Sequence, residues 1–408
     1  MGRSDLGNTL TEPLARVVAV CDLDAKRLAA GQQLAADYYV GRGEAGVVIK
    51  AFHDYHDVLA SPEIDAVIIS VPDHSHALVA IEAALAGKHI YVQKPVTYSI
   101  AEAITLRKVV EAKKVILQTG SQQRSERPWK SFRAASEAVR NGRIGQLQTI
   151  KIGLGLDRAS EKKPLPMAVP ENLDYERWLG PAPDQPYMEG RVHPQASLNG
   201  RPGWMTTEDF GLGMITNWGA HHVDIAQWAM AQELGGPLTV DARAEFYQHD
   251  LVTVHGAYHV EMRYPKNVQL VLDNKFPTGI RFQGDEGWVF CTRSEDADGE
   301  PPLRASDEKI LSPLDDRAVR WLPSKSHHGN WLESIVANRS PIAPIQQSVR
   351  SLEACAAAWI SMKLKRKLTW DFATEAFVGD DAANALRGRP ARKPEYDFTV
   401  AMKNAGII

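Results

Sequence analysis

Residues 65–95 read DAVIISVPDHSHALVAIEAALAGKHIYVQKP, and the reading of this stretch decides the fold. Two short unbroken apolar runs, VIISV and HIYV, flank a segment that places Leu78, Ile81 and Leu85 at helical spacing. Continuous apolar runs of this length suit strands covered on both faces, as in a parallel sheet. Gly87 stands where the helix must stop, and glycine is the residue that most readily takes the left-handed conformation there. Strand, helix and parallel strand in succession imply a right-handed crossover.

The same alternation continues on either side. ARVVAVCD (15–22) precedes the stretch and KVILQTG (114–120) follows it. Between them, SIAEAITLRKVVEAKK (99–114) opens with Ser99 and Glu102 in capping-box spacing and turns Ile100, Ile104 and Val110 toward one face. This predicts a doubly wound, Rossmann-like α/β domain over residues 1–121. Ligands of such sheets bind at the carboxyl ends of the strands. Asp22, Val71, Pro72 through His76, Gln93 through Pro95, and Gln118 through Gln123 all fall there.

A dinucleotide fold of this kind opens with a strand and a glycine-rich turn about twenty residues before an acid that takes the ribose hydroxyls. Asp22 is placed to be that acid, yet the chain begins MGRSDLGNTL. Gly2 fits the last glycine of the turn and Arg3 the opening of the first helix. The expectation is that the first strand and first two glycines lie upstream, leaving this sheet without its middle strand. The alternative for Asp22 is an ordinary helix N-cap. No arginine directly follows it to receive a 2′-phosphate, which favours NAD, with NADP as the alternative.

Residues 122–408 read differently. A helix is expected over 129–141, then a strand within GRIGQLQTIKIGLGL (142–156), then an irregular proline-rich section over 162–203. Long irregular segments in compact proteins are usually functional covers or walls. GMITNWGAHHVDIAQWAM (213–230) sets His221, His222 and Asp224 in a helix with an apolar stripe, where unpaired burial would be costly. The runs LTVDARAEFYQ, VHGAYHVEMRYP, NVQLVLDNKF, GIRFQG and GWVFCT follow, joined by turn signals. They predict an α+β domain with a large, mostly antiparallel sheet, one face covered by helices. A partner subunit is the expected cover for its open face, making a homo-oligomer.

Composition sets outer bounds. At 408 residues two domains are expected, and a formal net charge of −3 gives no electrostatic case for nucleic acid or an acidic membrane. Cys21, Cys291 and Cys355 are far apart in apolar company and suggest neither a disulfide framework nor a metal site. The adjacent His327 and His328 point in different directions along a helix, so no metal is expected there either. No apolar run approaches membrane-spanning length. The default location is the cytoplasm, or the periplasm if an export signal lies upstream of Met1.

Three runs together resemble the Gfo/Idh/MocA oxidoreductases. They are DAVIISVPDHSHALVAIEAALAGKHIYVQKPVTYSIAEA (65–103), TNWGAHHVDIAQW (216–228) and RKLTWDFATEAFVGDDAANALRGRPAR (366–392). The resemblance implies NAD(P) in the first domain and a sugar, polyol or sugar derivative oxidised or reduced at a secondary carbon. It places Lys94 beside the nicotinamide ribose and the substrate hydroxyl, where a cation stabilises a developing alkoxide. His221 would take the proton and Asp224 orient the hydroxyl or the imidazole. Asn217, His222, Arg124, Trp178 and Tyr187 are the further substrate candidates. Gly2, Arg3, Asp22, Val71, Pro72, His76, Gln93, Lys94 and Gln123 are the cofactor candidates. Two positions depart from the family pattern: Gln93 stands where glutamate is usual before Lys-Pro, and Asn217 where aspartate is usual four residues before the histidine. Besides a dehydrogenase, the pattern admits an NAD-dependent glycoside-cleaving enzyme working by transient oxidation and elimination, or a catalytically silent sugar-binding relative.

Overall fold

The computed structural model describes residues 1–44, 46–158, 165–232, 234–248, 251–295 and 298–407. In the first lobe, β1 (Ala19–Cys21) and β2 (Lys50–Phe52) form one parallel ladder. A second is built from β3 (Ala66–Ile69), β4 (His89–Val92) and β5 (Leu117–Thr119). The helices are α1 (Gly2–Leu10), α2 (Ala25–Gly41), α3 (Tyr55–Ala60), α4 (His76–Leu85) and α5 (Ile100–Lys113). Ile90, Tyr91 and Val92 of β4 are fully buried, as a strand between two helical layers must be. Both halves of the Ser99–Glu102 capping box are present at the start of α5. Gly87 follows α4 at φ +75°, the conformation its position required.

Among the described residues the two ladders are not hydrogen-bonded to each other, and no strand precedes α1. The start of α1 lies beside the end of β3: a Cβ on Gly2 would sit 3.5 Å from that of Ser70, and Ser70 Oγ donates to Asp5 at 2.6 Å. The N-cap of α2 is Asp24, whose carboxylate accepts from the amides of Lys26 and Arg27, so Asp22 is not the cap.

The second lobe contains α6 (Lys130–Arg140), β6 (Leu147–Gly153), α7 (Tyr175–Leu179), α8 (Met214–Asn217) and α9 (Gly219–Ala229). Then come β7 (Thr239–Phe246), β8 (His255–Arg263), β9 (Gln269–Asp273), β10 (Gly279–Gly284), β11 (Trp288–Cys291) and β12 (Leu303–Ala305). The chain closes its core with α10 (His327–Val336), α11 (Ile345–Leu364), β13 (Leu368–Asp371) and β14 (Ala376–Phe377). The strands order β12-β11-β10-β6-β9-β8-β7-β13-β14, antiparallel except where β6 meets β9. β8 shows the alternation expected of a half-covered sheet. Tyr258, Val260 and Met262 enter the core, while His259, Glu261 and Arg263 face outward.

The fold class is therefore a Rossmann-like parallel domain joined to a large mixed-sheet domain. The two lobes meet near residue 121, but α11 serves both. Its Ile345, Val349 and Leu352 pack into the first-lobe core with Leu106 and Val109, and Ala354 to Met362 into the second. This shared helix holds the strand ends of the first lobe against α8 and α9.

Candidate active site

β4 delivers Gln93, Lys94 and Pro95 to the junction of the lobes. The imidazole of His76 ties this turn down, with Nδ1 2.6 Å from the carbonyl of Pro95 and Nε2 3.0 Å from that of Val71. Burial lowers the His76 pKa to about 4, so the ring is neutral and donates through one nitrogen at a time. Across the junction, α8 starts from Gly213 at φ +77°, where a Cβ would lie 2.8 Å from Val254. That close approach is open only to glycine, and it aims the last residue of α8 at Lys94. The ammonium donates to the Asn217 side-chain oxygen at 2.7 Å and to its carbonyl at 3.0 Å. One turn further on, His221 is buried, with Nδ1 unpartnered among the described residues.

Electrostatics follow from burial. Desolvation pulls the Lys94 pKa below the usual ammonium range, Arg293 and Arg201 push the same way, and the Asp73 carboxylate opposes them. Burial raises Asp73 in turn, against the pull of Lys94. His221 is held far below the usual imidazole value by burial, Lys94 and Arg293, so its ring is neutral near pH 7. The two acceptors of Asn217 hold the ammonium without cancelling its charge. An aspartate there would neutralise it before any alkoxide formed.

A pH profile checks this directly. Asp73→Asn removes the carboxylate that raises Lys94, so the alkaline limb of kcat/KM for alcohol oxidation, where the required ammonium is lost, is expected to move to lower pH. Asn217→Asp adds one and is expected to move the limb to higher pH. Identical limbs in both variants and the parent would mean that Lys94 does not set the profile.

Several expected site residues are placed elsewhere. Asp224 does not orient His221. Its oxygens accept from Arg124 Nε and Nη2 at 2.7 Å each, and Ser351 Oγ donates to it at 2.9 Å. Arg124 is thereby removed from the substrate side as well, its Nη1 donating to the carbonyl of Ile342 at 3.0 Å. Trp178 and Tyr187 build a small core of their own with Leu173, Tyr175, Val192 and Phe210, and neither ring is free to stack on a sugar. His222 packs its ring against Phe132 and Trp218, at 5.7 and 5.8 Å between centroids. His76 positions the Lys94 turn through backbone carbonyls and presents neither nitrogen to a cofactor. Val71 contributes the carbonyl that His76 meets, and Pro72 precedes the 3₁₀ turn Asp73–Ser75. Arg3 donates to Asn199 on the surface at 3.2 Å.

Gln93 has a physical reason to depart from the glutamate pattern. Its amide nitrogen donates to both oxygens of Asp5 at 2.9 Å, and Asp5 is fully buried. A glutamate would set two carboxylates against each other there. Gln93→Glu is expected to cost about 1–3 kcal/mol of stability in urea unfolding at pH 7. The loss should shrink at pH 5, where the two acids can share a proton. Undiminished stability at pH 7 would remove this explanation.

Asp157 and Arg293 escaped the sequence reading, and Asp73 was placed at a strand end without a role of its own. Asp73 stands inside the PDHSH run beside residues that were singled out. Asp157 is 5% exposed on the second-lobe wall, its pKa raised to about 6 by burial, and a Cβ on Gly213 would lie 3.3 Å from its Oδ2. Nothing in the local sequence marks Arg293.

For a dinucleotide, the strand ends offer unsatisfied polar atoms. The Asp22 carboxyl is part-buried at the end of β1 with its pKa raised to about 6 by burial, and it accepts from the Asp24 amide at 2.9 Å. Such a carboxyl suits a ribose diol. At the β4 and β5 ends, Gln93 Oε1, Thr119 Oγ1 and both amide atoms of Gln123 are buried without partners among the described residues. These fit the nicotinamide end. No group of three or more His, Cys, Asp or Glu that could hold a metal exists among the described residues. No described helix is long and apolar enough to cross a membrane.

Comparison with known proteins agrees with this layout. Residues 1–121 match the oxidoreductase family's NAD-binding Rossmann fold, and residues 157–397 match its C-terminal alpha/beta domain. The chain belongs to the Gfo/Idh/MocA oxidoreductase family, and NAD is the cofactor of its first domain. It is 30% identical over 180 residues to the uncharacterized oxidoreductase YrbE of Bacillus subtilis, covering 44% of this chain and 46% of that protein. Over 105 residues it is 32% identical to the myo-inositol 2-dehydrogenase of Thermotoga maritima, covering 26% and 30%. Both matches span less than half the relative's length. The WlbA dehydrogenase of Bordetella pertussis, solved with NADH and UDP-GlcNAcA, superposes with a TM-score of 0.63 at 16% identity, over 91% of this chain and 95% of that one. That likeness shows a shared fold.

Proposed function

We propose that this protein is an NAD-dependent oxidoreductase acting on a secondary hydroxyl of a sugar, polyol or sugar derivative. The observation that carries the reading is the junction itself: the Lys94 ammonium of the first lobe meets Asn217 of the second, with the neutral His221 one helical turn away. NAD, when bound, supplies the acceptor for the hydride that leaves the carbinol carbon. Asp22 would hold its ribose, and Gln93, Thr119 and Gln123 the nicotinamide end. Lys94 hydrogen-bonds the carbinol oxygen and stabilises the negative charge that grows there as the proton departs. His221, kept uncharged, accepts that proton, and Asp73 shares the adjustment of charge around Lys94. His76 and Asn217 keep the ammonium in place. The relatives that are inositol dehydrogenases support the substrate class.

A second reading, glycoside cleavage by transient oxidation and elimination, is favoured by one observation. Asp73, raised by burial beside Lys94, keeps a proton that a leaving oxygen would need. Absorbance of reduced nicotinamide separates the readings. Net NADH from free polyols, aldoses or sugar acids is the expected result. Release of p-nitrophenol from p-nitrophenyl glycosides without net NADH would favour cleavage, and neither signal would leave a silent binder. The exposed outward face of β8, with its His259–Asp273 and Gln269–Glu261 hydrogen bonds, is the surface on which a second copy is expected.

A further inference from the structure

Arg293 is left without a role by the hydride-transfer reading. It stands two residues past the end of β11, on the same wall as α8 and α9. Its guanidinium carbon lies 3.8 Å from the ring centroid of Trp129 and 4.3 Å from that of Trp218, so the cation is held between two indoles. Trp218 directly follows Asn217, the residue that holds Lys94. The charge of Arg293 acts to depress Lys94, His221 and His222 alike. All three members of the stack are part-exposed, so it borders the cleft and is not sealed in the core.

Among the described residues this arginine has no anion opposite it. Nε and Nη2 are buried with no hydrogen-bond partner among the described residues. Burial lowers its pKa to about 10, and no carboxylate among the described residues opposes that shift. Arg124 shows the alternative in the same molecule, giving the same Nε and Nη2 edge to both oxygens of Asp224. Leaving charged donors buried and unmatched costs free energy, about 1–3 kcal/mol or more. Stacking on two indoles offsets part of this, at about 0.5–2 kcal/mol each. The stack also fixes the guanidinium plane, so its donors lie in one orientation suited to a planar acceptor.

We propose that Arg293 anchors a carboxylate of the substrate, so that the enzyme acts on a sugar acid or another polyhydroxy carboxylate in preference to a neutral polyol or aldose. The proposal rests on the reading of the Lys94–Asn217–His221 junction as the substrate site. With its carboxylate at Arg293, such a molecule extends a secondary hydroxyl toward Lys94 and His221 along the same wall. A single planar negative charge suits the position better than a phosphate dianion. The donors are coplanar, and the cleft already holds the carboxyls of Asp73 and Asp157.

Calorimetric titration with D-gluconate, D-glucuronate, D-glucose and D-glucose 6-phosphate, without added NAD, reads the preference with no turnover. At least one of the two acids is expected to bind about ten-fold or more tighter than glucose, the worth of one charge-assisted pair. Arg293→Gln should abolish the difference. Arg293→Lys, which keeps the charge and loses the plane, should retain part of it, and it serves as the readout if the glutamine variant loses the parental circular dichroism spectrum. Glucose binding as tightly as both acids, or a folded glutamine variant that keeps the preference, would overturn the proposal. So would the 6-phosphate exceeding both acids, or no heat with any of the four. Unchanged turnover in Lys94 and His221 variants would sink the hydride-transfer reading while leaving this binding preference standing, so the two failures are distinct.

Discussion

Lys94→Met is expected to lower kcat/KM for NAD-dependent alcohol oxidation by about a hundred- to ten-thousand-fold, the usual effect of losing a positioned proton-transfer or charge-stabilising group. The methionine keeps the length and most of the apolar stem, so the variant isolates the ammonium. That cation is desolvated and hydrogen-bonded by the neutral acceptors of Asn217, with Asp73 acting on it through space, so most of its field is left for the reacting oxygen. Removing a part-buried charge is not expected to reduce stability. Activity within a few-fold of the parent, or loss of activity together with loss of fold, would contradict the role assigned to Lys94.

Asp224→Ala is expected to act through stability. The Arg124–Asp224 pair is bidentate and almost wholly buried, with side chains 1% and 2% exposed. Arg124 also stacks over Trp228 of α9, its guanidinium carbon 5.2 Å from the ring, and donates through Nη1 to the Gln347 side chain of α11, so it joins the two helices. Breaking such a pair leaves an uncompensated buried guanidinium, at a cost of about 3–5 kcal/mol. Chemical unfolding should show a correspondingly lower midpoint. The double variant Arg124→Met with Asp224→Ala should recover part of the loss, because no lone charge remains. A stable but inactive Asp224→Ala would instead restore the catalytic role that its spacing to His221 suggests.

That contrast shows where the sequence is legible and where it is not. The apolar runs at 66–71 and 89–92, the Ser99–Glu102 box and Gly87 are local signals, and each appears in the structure where local physics places it. The strand-end residues could be located because strand ends follow from those signals, whereas the pairing of Lys94 with His221 rests on the family resemblance. Asp224 could not be located. On a helix exposed along one side, residues three apart share surroundings, but every residue of α9 is buried. The remaining rotation between His221 and Asp224 is then enough to give them different neighbours, the cleft for one and Arg124 for the other. For Trp178 and Tyr187 the sequence leaves sugar stacking and loop anchoring equally open, because an irregular loop gives no periodicity. The structure uses them to give that loop its own core. Arg293 was invisible because its two tryptophans lie about 75 and 164 residues away in sequence, a distance no local pattern spans.

The central claim is that Lys94 and Asn217, from different lobes, act as one device on one reacting oxygen. A double-mutant cycle on kcat/KM tests it most directly, using Lys94→Met, Asn217→Ala and the combination, with NAD and the best of a panel of polyols, aldoses and sugar acids. The account predicts that Asn217→Ala adds little once the ammonium is gone. Two losses that simply multiply would mean that the residues act independently, and would contradict it.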